Sequence, residues 1–139
     1  MTEPARNPLR SVVAIVVGLI IVVGLSTAAD LLMVKSGVAP GLGTVWPPSL
    51  LAVALAYRCA IAVLGACTTA RLAPRFPMWH AMFLGVFGFV VSLAGVVVAA
   101  TRGGMGPLWY PIAVATTAIP CAWLGGQLVV AKTRGGDLF

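Results

Sequence analysis

The sequence predicts an all-α fold, an integral membrane bundle of four transmembrane helices with both termini cytoplasmic. Hydrophobic residues make up 60% of the 139-residue chain and charged residues 9%, where soluble domains hold roughly 45–50% and about 25%. Mean hydropathy is +1.06, and apolar runs long enough to cross a bilayer recur four times between clusters of Gly, Pro and basic residues.

The first run, Ser11 to Ala29, has no charge and no proline; at about 1.5 Å per residue it reaches ~28 Å, close to the hydrocarbon thickness. It sets a span at about 11–30, behind a cytoplasmic segment at 1–10. A loop with Gly37, Pro40, Gly41, Gly43, Pro47 and Pro48 follows, and the second span occupies about 50–70, interrupted only by Tyr57 and Arg58. Pro74 and Pro77 force a tight connection, because proline cannot continue a helix interior. The third span, about 78–101, ends at Arg102-Gly103-Gly104 with Gly106 and Pro107 behind it. The fourth, about 110–131, contains Pro111 and Pro120, expected to start and to kink it. A short polar tail fills 132–139.

Direction follows from Lys and Arg, which accumulate in cytoplasmic connections. Arg6, Arg10, Arg71, Arg75, Lys132 and Arg134 fall at the N-terminus, second loop and C-terminus, against Lys35 and Arg102 in the first and third loops. Trp46, Trp109 and Tyr110 then belong at the outer interface and Trp79 at the inner one. The formal charge of +6 is spread over segment ends instead of forming a patch, so no nucleic-acid partner is expected. The basic start, the apolar run to Leu25 and Ser26-Thr27-Ala28-Ala29 also resemble a secretory signal with a cleavage site. The uncharged run exceeds the usual ~7–15-residue core of a signal and continues through Leu31 to Val34, which favours a retained span.

Helices in lipid gain little from hydrophobicity towards one another, so small residues that let backbones approach supply much of the contact. The third span carries Ala81, Gly85, Gly88, Ser92, Gly95 and Ala99 in a heptad stripe. Matching stripes are Ala52, Ala56, Cys59, Val63, Ala66 and Ala70 in the second span, and Ala115, Ala118, Ala122, Gly125 and Val129 in the fourth. They predict close, left-handed packing near ~20°, with Gly88→Leu disrupting folding far more than Phe87→Leu. Three stripes also suggest one face left over for a second copy or a membrane-protein partner.

Arg58 is the sharpest chemical signal, since a guanidinium inside a span costs roughly 2.5–3.5 kcal/mol and needs a partner or a wet cavity. Of the three acids, Glu3 and Asp137 lie in the tails, which leaves Asp30 at the outer end of the first span. Helical side chains lean towards their own N-terminus, so Arg58 leans outward to that level. An Asp30–Arg58 pair supported by Tyr57 is expected, acting either as a clasp between two helices or as an anion or lipid-headgroup site. His80 is the sole histidine, too few ligands for a metal or haem, and an interfacial hydrogen bond suits it. Cys59, Cys67 and Cys121 form no Cys-x-x-Cys and read as small apolar side chains. Thr68, Thr69, Thr116 and Thr117 are expected to bond back to helix carbonyls, and Gln127 to bridge helices. No catalytic constellation and no cofactor is indicated.

Tyr57-Arg58, the stretch Thr69-Ala70-Arg71-Leu72-Ala73-Pro74 with Pro77-Met78 and His80-Ala81, Trp109-Tyr110-Pro111, and Pro120-Cys121-Ala122-Trp123-Leu124-Gly125-Gly126 resemble a group of small, uncharacterised bacterial four-span membrane proteins. The resemblance runs from about Leu9 to Gln127 and implies a bacterial inner membrane, but no activity. A small multidrug exporter would carry a glutamate in its first span, and a quinone-linked thiol oxidase would carry paired cysteines; both are missing here. The functional expectation is a non-enzymatic scaffold or accessory component of a membrane complex. The alternative is a small transporter or channel with a polar cavity around Arg58 and Asp30.

Overall fold

A computed structural model describes residues 7–136, so Glu3, Arg6 and Asp137 lie outside the described residues. It contains α1 (Pro8–Lys35), α2 (Pro48–Leu72), α3 (Pro77–Arg102) and α4 (Trp109–Gly136), and all four are long and apolar enough to cross a membrane. The chain is a polytopic membrane protein. The helices overrun the expected spans at every end, most at Lys35 and Gly136, and Pro8, Pro48 and Pro77 open the first three. Proline suits a first helical turn, where its missing N–H has no partner to lose. The 28 residues of α1 measure ~42 Å at about 1.5 Å each, so its ends run past a ~30 Å hydrocarbon layer.

Short connections make successive helices antiparallel. One end of the bundle, the termini end, carries Arg10, Arg71, Arg75, Lys132 and Arg134; the loop end carries Lys35, Arg102 and the α1–α2 and α3–α4 connections. At the termini end Phe76 takes a left-handed backbone (φ 52°) just before Pro77, with the Arg75 guanidinium 5.3 Å above its ring.

Around the bundle the order is α1, α2, α4, α3. The α3–α4, α2–α4 and α1–α2 faces are extensive, α1 meets α3 only slightly, and α1 does not touch α4. The core is built of small side chains: Ala14, Ala54, Ala66, Ala70, Ala81, Ala115 and Ala122 are buried, while Leu9, Ile20, Leu32, Trp79, Val90 and Trp123 are exposed. A soluble protein arranges these the other way round. Here lipid takes the large apolar side chains and close helix contact takes the small ones.

The closest crossings lie towards the termini end. At Gly18 and Gly65, α1 and α2 touch reciprocally: a Cβ on either glycine would stand 3.1 Å from the other's carbonyl oxygen. A Cβ on Gly85 would meet Ala122, and one on Gly125 would stand 2.6 Å from both the Ala66 Cβ and the Val63 carbonyl oxygen. Gly126 turns to α3, where a Cβ would be 2.8 Å from the Met78 sulfur. Consecutive glycines of α4 thus admit α2 on one side and α3 on the other. Gly18, Gly65 and Gly126 belong to none of the three stripes.

The α4 stripe is engaged along its length, with Ala115, Ala122, Gly125 and Val129 buried, but the α3 and α2 stripes are engaged only in part. In α3, Ala81 and Gly85 are buried, whereas a Cβ on Gly88 would find its nearest neighbour at 4.0 Å and one on Gly95 nothing within 4 Å. Ser92 and Ala99 are half-buried, and Ala52 and Ala56 of α2 are exposed. With no neighbour nearer than 4.0 Å, Gly88 gives little ground for Gly88→Leu to disrupt folding far more than Phe87→Leu; the close contact of α3 is at Gly85. Thr69 departs from expectation as well. Thr68 bonds back to the Leu64 carbonyl at 2.9 Å and Thr116 and Thr117 bond back within α4. Thr69 is wholly buried with an unpartnered hydroxyl, turned to the Gly18 position where a Cβ would collide with its oxygen. A Cα–H of Gly18 faces that oxygen, a weak contact that only glycine allows at this separation.

Candidate functional site

Towards the loop end the helices splay, and the strongly polar side chains stand there. Asp30 lies near the C-terminal end of α1, and Tyr57 and Arg58 lie on adjacent positions of α2, both reaching across to it. The Arg58 Nη2 donates to Asp30 Oδ2 at 2.6 Å, and the Tyr57 hydroxyl donates to Asp30 Oδ1. Each carboxylate oxygen is thus engaged by its own donor. Within the guanidinium, Arg58 Nε is shielded from water and has no hydrogen-bond partner. Buried donors without partners are uncommon and call for an explanation.

Two cavities meet at this pair. The first, about 240 Å³, is a vestibule at the loop end, walled by the α1–α2 connection through Thr44, Val45 and Trp46 and by the α3–α4 connection through Met105 and Gly106, with Tyr110 beside them. Asp30 and Arg58 are its only charged lining groups. The two connections touch where a Cβ on Gly106, whose φ is +93°, would be 3.4 Å from Val45 Cγ1; that backbone region favours glycine. The second cavity, about 210 Å³, lies deeper between the helices and is apolar, with Val22, Leu55, Cys59, Gly88, Val91 and Cys121 in its walls. Arg58 lines both.

The deeper cavity reaches the lipid-facing surface between α1 and α3, the least connected neighbours in the ring. Val23, Phe87 and Val91 on its rim are more than two-fifths exposed. Gly88 and Ser92 line the chamber wall instead of packing against a neighbour. The α3 stripe therefore packs with Ala81 and Gly85, lines a cavity with Gly88 and Ser92, and stands open at Gly95.

The other polar candidates are dispersed. His80 shares a hydrogen bond with the Phe76 carbonyl at 3.1 Å, at the termini end. Cys67 donates to the Gly125 carbonyl at 3.2 Å in the packed α2–α4 seam, while Cys59 and Cys121 face the deeper cavity. All three thiols are free. Gln127 is half-buried and bonds no other helix among the described residues, so it does not supply the expected bridge. Pro120 is exposed and lies outside the lining of either cavity, so the carbonyl it frees faces away from them. The vestibule loops were not expected as site residues. Their one sequence signal is the crowding of Gly and Pro into both loop-end connections.

The chain matches no protein-family model, no curated protein and no solved structure.

Proposed function

We propose that this polytopic membrane protein is a small transporter or solute-binding component whose site is the double cavity around Arg58 and Asp30. One observation carries the reading: Arg58 forms part of the wall of a polar vestibule and of an apolar chamber at once. A clasp between α1 and α2 would gain nothing from two cavities meeting at it. Convergent polar groups beside an apolar hollow are the usual make-up of a ligand site, and a charge within a span is rare and points to a functional site. The glycine crossings seal the termini half, which suits a binding site open on one side better than a continuous channel. The bias of Lys and Arg towards the termini end supports cytoplasmic termini, and the resemblance to small bacterial four-span proteins supports an inner-membrane location. A scaffold role is the second reading, and the unpacked Gly95 face of α3 favours it.

Thiolate chemistry tests the cavity, because a charged methanethiosulfonate reaches only cysteines in contact with water. Single-cysteine variants keeping Cys59, Cys121 or Cys67 are reconstituted in vesicles and exposed to the reagent. Cys59 and Cys121 should react and Cys67 should resist, with Arg58→Ala accelerating the first two. If Cys59 and Cys121 are as inert as Cys67, the solute-cavity reading fails.

A further inference from the structure

We infer that the ligand of this site is a single-chain amphiphile with an anionic head, a carboxylate or phosphate monoester, whose head binds Arg58 and whose alkyl chain enters from the bilayer between α1 and α3. The inference rests on the double-cavity reading and adds the chemical class of ligand.

The sign of the head follows from which hydrogen-bonding capacity is still open at the junction. Both oxygens of Asp30 are engaged, one by Tyr57 and the other by Arg58. Arg58 spends Nη2 on Asp30, and its side chain keeps 32% exposure in the wall of both cavities. The exposed guanidinium therefore offers donors to an acceptor group there, while the unpartnered Nε is closed to water-sized groups. A cationic head would meet a carboxylate already occupied and a guanidinium that repels it. Guanidinium forks suit carboxylate and phosphate in particular.

The chain follows from the deeper chamber. Its walls are apolar apart from Arg58, Cys59, Cys121 and a few hydroxyls, and it opens to the lipid-facing surface along Val23, Phe87 and Val91. At about 210 Å³ it is smaller than the ~300–1,000 Å³ that encloses a drug-sized ligand. It accommodates part of one alkyl chain, and the lateral opening lets the remainder lie among lipid tails. Arg58, common to both cavities, is where such a molecule changes from polar to apolar.

The full-length protein in nanodiscs of zwitterionic lipid is titrated with dodecyl phosphate, and modification of Cys59 and Cys121 by N-ethylmaleimide is timed. Dodecyl phosphate should slow modification at least tenfold, while dodecyltrimethylammonium, dodecanol and inorganic phosphate leave it unchanged. Laurate and lysophosphatidic acid, run as further arms, separate a free acid from a lysolipid phosphate monoester, and protection by either supports the inference. Arg58→Gln should abolish protection. So should Gly88→Leu, which fills the chamber without touching the ion pair. Equal protection by the cationic or neutral amphiphile overturns the assignment, as does protection that survives both substitutions. Absence of protection in a protein whose Cys59 still reacts with the charged methanethiosulfonate overturns the amphiphile and leaves the cavity standing; inertness of Cys59 to both reagents overturns the two together.

Discussion

Gly125→Ala is the smallest change that tests how the closed half of the bundle is held. The added methyl would stand 2.6 Å from the Ala66 Cβ, 2.6 Å from the Val63 carbonyl oxygen and 3.1 Å from the Cys67 nitrogen. Two of these three are backbone atoms, which cannot rotate aside. The α2 and α4 axes must then part by about 1 Å, and a gap of ~0.5–1 Å already forfeits a quarter to a half of each dispersion contact it opens. The shift also stretches the Cys67 bond to the Gly125 carbonyl, 3.2 Å in the native chain. Overpacking of this kind costs ~1–3 kcal/mol, and the better helix propensity of alanine offsets about 1 kcal/mol at most. A net loss of about 1–2 kcal/mol is expected, read as a fall of ~3–8 °C in the melting temperature in detergent. Gly95→Ala meets nothing within 4 Å and should be neutral or slightly stabilising. Ala66→Gly combined with Gly125→Ala should recover only part of the loss, because the two backbone clashes remain. Equal melting of Gly125→Ala and Gly95→Ala would refute the close crossing, and complete rescue by Ala66→Gly would refute the backbone clash.

Gly85→Leu should abolish folding, because its side chain meets Ala122 and the Ala118 carbonyl, whereas Gly88→Leu should express and melt within a few degrees of the native chain; the reverse order in a detergent melt would place the α3–α4 crossing wrongly. Asp30→Arg or Arg58→Asp alone leaves like charges facing one another and should cost ~3 kcal/mol or more, while the double reversal should regain most of the melting temperature; if it regains none, the 2.6 Å pair is not what joins α1 to α2 at the loop end. If the open α3 face meets another copy, Gly95→Cys without the three native cysteines should crosslink in the membrane, and a folded protein that gives no homodimer or heteromeric adduct counts against assembly through that face.

Composition made the number and class of elements legible. Proline and glycine marked the helix ends, and the shortage of acids singled out Asp30 as the partner within reach of Arg58. The same sequence logic held along the α4 stripe and erred along those of α2 and α3. A heptad of small residues says which face can pack, but helices that diverge use only part of it, and where they diverge depends on crossings made by other residues. Gly18 shows the difficulty: the buried face of α1 is Ala14, Gly18 and Ser26, small residues too widely spaced to stand out as a heptad, and Gly18 sits opposite Gly65 and Thr69 where α1 crosses α2. The two cavities were illegible for a related reason. A hollow is the absence of contact between four helices, and no window along one helix reports it. Only the position of Arg58, too deep for a surface charge, hinted that the loop half held more than lipid and packing.

The choice between a clasp and a binding site turns on what Arg58 does that a simpler side chain would not. Placing a guanidinium within the span costs roughly 2.5–3.5 kcal/mol before any partner is counted. The bond to Asp30 offsets part of this, yet Nε remains buried and unpartnered. Lysine would serve a clasp nearly as well: it keeps the charge, reaches a similar distance and brings no second buried donor to satisfy. A ligand site is different, because the guanidinium can hold Asp30 with one nitrogen and a carboxylate or phosphate with the others, while a lone ammonium must divide itself between them. Arg58→Lys should therefore melt within a few degrees of the native protein and lose most of the protection that dodecyl phosphate gives Cys59. Retained protection in this variant would show that charge alone suffices, and the role assigned to the guanidinium fork would fall.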